Sequence, residues 1–293
     1  MGRGPSQGEA LATWAVWAAI TGVVLVTYSW VDPSETYHVS REGLAGGLSR
    51  GLTLVNFPIA LVAIAVVLVA MAVLPAAAWW AAGPAIALCA TIPFFVDQGN
   101  LDARWGNAVP ALGVGAAFVL TIAATRRAGA ARAPRRPWDT ARLVIAVLVL
   151  VVSLPWFAAE LGFHFPGDFF MGEELGREKD GTLIAAVHLG HHHGQDGAVL
   201  LFTALLLSRV FVPARRLRIA LFAYLGTMLA YGAVNFIQDA WNEQIVKRGW
   251  TDASIPSAIL PGAKPIWLVV IGLAVLATLV LLSEDKGTSY SAS

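Results

Sequence analysis

Charge is scarce in this chain. Asp, Glu, Lys and Arg make up 13% of its 293 residues, while hydrophobic types make up 57%. Soluble domains carry about 25% charged residues, so an ordinary water-soluble globule is excluded. Cysteine is nearly absent. Cys89 stands alone, which rules out an intramolecular disulfide and a cysteine-rich zinc site, and its apolar setting reads as a small core hydrophobe. The chain also lacks a dinucleotide-binding glycine fingerprint and a phosphate loop. It has no internal repeat, which argues against a transporter assembled from duplicated halves. No basic surface suits nucleic acid apart from two arginine-rich stretches, which topology and anionic lipid account for.

What is present instead is apolar length. Runs near twenty residues recur throughout, the length that crosses a hydrocarbon core as a helix. They predict eight spans: Ala10–Trp30, Leu52–Leu74, Ala76–Phe95, Asn107–Thr125, Leu143–Gly162, Ala185–Val212, Ile219–Gln238 and Pro265–Ser283. The first is long for a signal-peptide core and has no small-residue cleavage site, so it reads as a retained helix. Pro75 divides the run from Leu52 to Phe95, because proline cannot continue a helix across that point. The expectation is a single all-α domain over residues 1–293, a polytopic bundle of about eight spanning helices in a lipid bilayer.

Arginine sets the orientation. Arg126, Arg127, Arg132, Arg135, Arg136 and Arg142 crowd one connection, and Arg215, Arg216 and Arg218 another. Lys and Arg are retained on the cytoplasmic side. Eight spans put both connections there, with both termini, and send the acid-rich connections (Asp32 and Glu35; Asp97 and Asp102; Asp168 to Asp180; Asp239 to Asp252) to the other face. Trp30, Trp105, Trp138, Trp241 and Trp250 fall near the expected interfaces, where indole is favoured. Asp139 and Thr140 are placed to cap the fifth helix. A composition rich in Ala, Gly and Arg suggests a GC-rich bacterial genome, so the expected location is a bacterial cytoplasmic membrane.

Chemistry concentrates in His188-Leu-Gly-His191-His192-His193-Gly-Gln-Asp196, which holds four of the six histidines. On a helix His188, His192 and Asp196 recur every fourth residue and share a face. Imidazole and carboxylate donors of this kind suit Zn, Fe or Cu. At about 1.5 Å per residue, Asp196 lies roughly 20 Å and His188 roughly 30 Å from Arg209, the inner end of that helix. The cluster therefore sits in the outer third of the membrane, where ionisable groups face the bundle and have partners. In the preceding span Glu160 and His164 are also four apart and at about the same height. The predicted site unites Glu160 as general base with His164, His188, His192, Asp196 and His191 as metal ligands, His191 serving equally well as a group behind the ligands. Asn235, Gln238 and Asp239 end the seventh span nearby, although caps and loop charges explain them and Asp97 and Asp102 as well. Residues 163–174, where aromatics alternate with acids, suit the headgroup level, equally as a lid that admits an amphiphile or as a plain interfacial anchor.

Three short resemblances bear on this stretch. His188-Leu-Gly-His191-His192 resembles one histidine box of the membrane fatty acid desaturases and hydroxylases, which implies an oxidative metal centre; the companion boxes are absent and this one faces outward. His192 and Asp196 have a spacing similar to that of the cation diffusion facilitators, whose paired aspartates have no counterpart here. Glu173-Glu174-Leu-Gly-Arg177 is similar to the paired-glutamate motif of intramembrane CAAX-type proteases, one residue short. No family is assigned on these grounds. Three classes follow: a metal-dependent enzyme at the outer leaflet acting on an amphiphilic or small-molecule substrate, a divalent-metal transporter, and a non-catalytic or metal-binding accessory subunit. A transporter needs polar groups along the whole route, and below Asp196 the spans offer little beyond Thr27, Thr121, Ser153 and Thr203. The first class is the expectation.

Overall fold

A helix apolar on every side has to be buried on every side, and the stretch Ala60–Met71 is of this kind. In the computed structural model of the protein it forms a central helix, with Ala60, Val62, Ala63, Ala65, Val66, Val67, Val69 and Ala70 all buried. The structure describes residues 7–30, 39–97, 100–160, 175–177, 183–185, 191–246, 249–259 and 263–290; at 155, 158–160, 175–177, 183–185, 191–193, 243 and 285–290 the backbone alone is described.

The order of elements is α1 (Gly8–Trp30), α2 (Gly43–Leu54), a π-helical turn (Val55–Ile59), α3 (Ala60–Met71), α4 (Trp79–Cys89), the short α5 (Ile92–Phe95), α6 (Ala108–Ala128) and α7 (Asp139–Glu160). A small antiparallel ribbon follows, β1 (Leu175–Arg177) with β2 (Leu183–Ala185), and then α8 (His191–Leu207), α9 (Arg215–Trp241), a second π-helical turn (Asn242–Val246) and α10 (Ile266–Tyr290). Helix α3 touches α4, α6, α8 and α9; α9 lies between α8 and α10; α1 pairs with α2, and α7 rests on α8. Among the described residues five helices are long and apolar enough to cross a membrane: Gly8–Trp30, Gly43–Met71, Trp105–Ala128, Arg215–Val246 and Ile266–Glu284. Leu143, Val147, Val151 and Leu154 on α7 and Leu268, Ile271, Val275 and Leu279 on α10 turn outward. Apolar faces of this extent do not stand in water. The build is that of an integral membrane protein.

Several boundaries differ from the sequence expectation. Helix α3 stops at Met71 and the chain turns through Pro75, as the proline requires, before α4 folds back beside it. The second helix begins at Gly43, nine residues ahead of Leu52, and so carries Arg50 inside the bundle. Gly46 and Gly47 lie against α1: a Cβ on Gly46 would be 2.9 Å from the Tyr28 carbonyl oxygen, and one on Gly47 2.2 Å from the Leu25 carbonyl oxygen. Small residues at a helix contact let two backbones approach in a membrane, which explains why a stretch of low hydropathy is helical. Ala185, expected to open a helix, belongs to β2, and α8 begins at His191. Helix α7 runs unbroken through Pro155.

One end of the bundle is clasped by charge. Arg142, in the first turn of α7, donates to both carboxylate oxygens of Glu284 on α10, at 3.0 and 2.5 Å, and to Ser208 Oγ at 2.9 Å. Arg209, just past α8, pairs with Asp139 at 3.1 Å and with Glu9 of α1 at 3.3 Å. Glu9 also accepts the Ala133 N–H at 2.9 Å. Asp139 does not turn its carboxylate to its own helix as a cap; it accepts the preceding Arg136 N–H at 3.0 Å. Burial works against charge on Asp139, but that N–H together with the guanidiniums of Arg209 and Arg142 outweighs it and holds the carboxyl below the ordinary carboxylate range. The start of α1 and the end of α10 thus lie at the same end.

Close backbone approach also governs α8 and α9. A Cβ on Gly197 would meet the Gly232 carbonyl oxygen at 2.6 Å and the Phe236 nitrogen at 2.9 Å, whereas one on Gly272 of α10 meets nothing within 4 Å. Gly197→Ala therefore forces the helices apart and is expected to cost roughly 1–3 kcal/mol. Gly272→Ala is expected to be neutral or to gain up to about 1 kcal/mol. Thermal unfolding in detergent separates the two, and a Gly197→Ala protein melting like the parent would disprove the α8–α9 contact.

Candidate functional site

At the opposite end, neutral and singly charged groups tie α7, α8 and α9 together. The Gln195 side-chain amide donates to the Trp156 carbonyl oxygen at 2.7 Å, linking the first turns of α8 to the last full turn of α7. Asp239 of α9 accepts the Gly194 N–H at 2.8 Å. Gly194 is the fourth residue of α8, and the first four N–H groups of a helix have no partner within it. A carboxylate there also faces the positive end of the helix dipole. Asp239 is therefore a cap supplied by another helix. A glycine is required at 194, since a Cβ would lie 2.6 Å from both Asp239 Oδ2 and the Trp156 ring. Trp156 in turn meets Phe236 edge-on, with ring centroids 5.5 Å apart.

Asp196, two residues beyond Gly194, is 9% exposed and stands between two spaces. On one side is a cavity of about 220 Å³ whose lining includes Trp17, Arg50, Leu54, Phe157 and Gln195. Arg50 is 3% exposed, with its guanidinium 5.8 Å from the centre of the Tyr28 ring, an arrangement that stabilises a buried cation. Trp17 is 1% exposed and its indole N–H has no hydrogen-bond partner among the described residues. Buried donors of this kind require an explanation, and a polar guest is one. On the other side of Asp196 a narrow space is shared with Gly197, Tyr231 and Asn235. Phe57, Leu200, Tyr231 and Ile259 line both that space and an apolar chamber of about 300 Å³ that continues to Tyr224, Met228 and Trp267. This volume is at the lower end of small-molecule pockets. Tyr231 stacks on Trp267 at 5.9 Å and donates to the Ile259 carbonyl oxygen at 2.9 Å.

Of the predicted constellation, the structure describes the backbone at Glu160, His191 and His192 and the whole of Asp196. Glu160 ends α7, one turn beyond Trp156, and His191 and His192 open α8, one turn before Gln195 and Asp196. Only Asp196 of these has a described side chain. His164 and His188 lie outside the described residues, as do the rest of residues 163–174. Among the described residues no three His, Cys, Asp or Glu side chains gather as a metal-binding group. Asp97 pairs with Arg104 at 2.9 Å, and Asp102 accepts the Ser40 N–H at 3.1 Å, so both serve the loops. Asn235 does reach the space beside Asp196. Arg50 and Tyr231 escaped the sequence reading. For Arg50 the signal was present in the glycines that precede it, Gly46 and Gly47; for Tyr231 none was.

No family model, no curated protein and no solved structure matches the chain.

Removing the cap carboxylate tests the geometry of this end. Asp239→Ala is expected to lower stability by about 1 kcal/mol, with a range of about 0.5–2. Asp97→Asn, which breaks an ion pair about half exposed on both sides, is expected to change it by less than about 1 kcal/mol. Unfolding in detergent reads both, and equal effects would refute the capping role.

Proposed function

We propose that this protein crosses the membrane eight times with both termini in the cytoplasm, and that the end where α7 gives way to α8 holds an outward-facing transition-metal site serving an enzyme of the outer leaflet. Eight passes are α1, α2 with α3, α4 with α5, α6, α7, α8, α9 and α10. The charge clasp supports an even number, since it gathers the start of α1 and the end of α10. The arginines of that end support its cytoplasmic placement.

The observation that carries the site is the Gln195–Trp156 hydrogen bond. It supports the convergence of the last turn of α7 with the first turn of α8, hence of Glu160 with His191, His192 and Asp196. His164 and His188 complete the ligand set in this reading. These residues would hold Zn, Fe or Cu, which would supply Lewis-acid or oxidative chemistry there, and Glu160 would take up a proton as general base. The chamber beside Tyr231 suits the apolar part of an amphiphilic substrate, and the Trp17 N–H with Arg50 suits its polar part. Transport is the less supported use. Thr121, Ser153 and Thr203, deeper in the bundle, each return their hydroxyl to the carbonyl four residues earlier and build no polar path.

Metal analysis of protein purified without a histidine tag tests the site. Near-stoichiometric Zn, Fe or Cu is expected, with occupancy lost in His188→Ala and His192→Ala; metal retained in full by both variants would sink the proposal. For topology, a single cysteine is placed at Arg132 in a Cys89→Ala background. An impermeant maleimide added to intact cells is expected to leave it unlabelled, and labelling would invert the orientation.

A further inference from the structure

The arginine-rich end carries a cavity of its own, apart from the spaces around Asp196. A cleft of about 570 Å³ lies between the first turns of α7 and the last turns of α8. Arg135, Arg136, Arg142 and Arg209 line it at the helix ends, and Leu143, Ala146, Phe202 and Leu206 line it farther along the two helices. We propose that this cleft binds an anionic phospholipid, with the phosphate among the arginines and an acyl chain along α7 and α8.

Charge is the first argument. Four guanidiniums face a single lining carboxylate, Asp139, and that carboxylate is already engaged by Arg209, Arg142 and the Arg136 N–H. Glu284 and Glu9 answer Arg142 and Arg209 from outside the lining. The cleft as a whole is cationic, and Arg135 at its exposed rim has no ion-pair partner among the described residues. The planar fork of a guanidinium matches phosphate oxygens two at a time.

Rigidity is the second. Arg142 is held by Ser208 and Glu284, and Arg209 by Glu9 and the Ala133 carbonyl oxygen. These two form fixed walls, so a ligand finds the cleft already shaped and loses little affinity to ordering it. The polarity gradient is the third. Arginines at helix ends stand at headgroup height, and the apolar lining leads into the exposed strip of Leu143, Val147 and Val151 on α7. A soluble phosphate has no use for that strip, whereas a lipid does. Basic pockets between spanning helices on the cytoplasmic side are suited to anionic headgroups.

The test is the unfolding temperature of the full chain in a neutral detergent, titrated with dioleoyl phosphatidylglycerol, dioleoyl phosphatidylcholine or inorganic phosphate. Stabilisation by the phosphatidylglycerol alone is expected. In Arg135→Gln with Arg136→Gln its apparent affinity is expected to fall roughly thirty-fold, from about 1 kcal/mol per arginine. Arg126→Gln with Arg127→Gln removes the same charge from the end of α6, outside the cleft, and is expected to keep the affinity. Ala146→Trp fills the apolar half while leaving every arginine, and is expected to abolish the effect; it decides the matter if the double arginine variant fails to fold. Stabilisation by phosphate alone to the same degree, equal losses in the two double variants, full retention in Ala146→Trp, or no stabilisation of the parent would each overturn the proposal.

Discussion

The bidentate pair between Arg142 and Glu284 is the interaction on which the arrangement of the bundle turns. Both side chains are at least nine-tenths buried, and in such a setting a guanidinium left without its carboxylate is destabilising by about 3–5 kcal/mol. The pair joins the first turn of α7 to the last turns of α10. Through Ser208 and Asp139 it reaches the end of α8, and through Arg209 and Glu9 the beginning of α1. Lipid tails are as apolar as leucine, so burial alone does not tell one helix face or height from another once the helices are in the membrane. Directional contacts must do so. The clasp fixes the relative height of four helix ends, and the glycine contacts of α1 with α2 and of α8 with α9 fix how closely their axes approach.

The other end is built differently. There the ties are one carboxylate on a backbone N–H and one amide on a carbonyl, and Asp196 and Arg50, two buried ionisable groups, line one cavity beside them. Charged residues in such places mark function more often than structure. A firm ionic clasp at one end and a polar, cavity-lined corner at the other is a sensible division. The clasp holds the helices without drawing on Asp196 or Arg50.

How far the sequence foretold this differs from residue to residue. Pro75 announced its break, because the loss of an N–H acts locally and needs no knowledge of the neighbours. The apolar spans were legible for the same reason: twenty residues in hydrocarbon must satisfy their own backbone as helix. The start of α2 was misjudged because hydropathy reads Gly43–Gly51 as a polar connection, whereas the segment is helical through what α1 offers it. Ala185 was taken into a helix on its apolar character, yet it pairs with Leu175, ten residues earlier, in the ribbon, a choice that apolar character alone does not encode. Of the expected ligands, Asp196 proved buried, but its neighbours Tyr231 and Asn235 come from a helix some 35 residues on.

What the sequence determined by itself, then, is the membrane environment, the helical class and the clustering of arginine in particular connections, since each follows from the cost of placing polar groups in hydrocarbon. What only the tertiary structure decided is which polar residues meet. Arg142 finds Glu284 across 142 residues of chain and Arg209 finds Glu9 across 200, and no periodicity connects such partners. The choice rests on helices already stacked, with distances of a few ångströms set by glycines and carboxylates that carry no mark of their partners in the one-dimensional record.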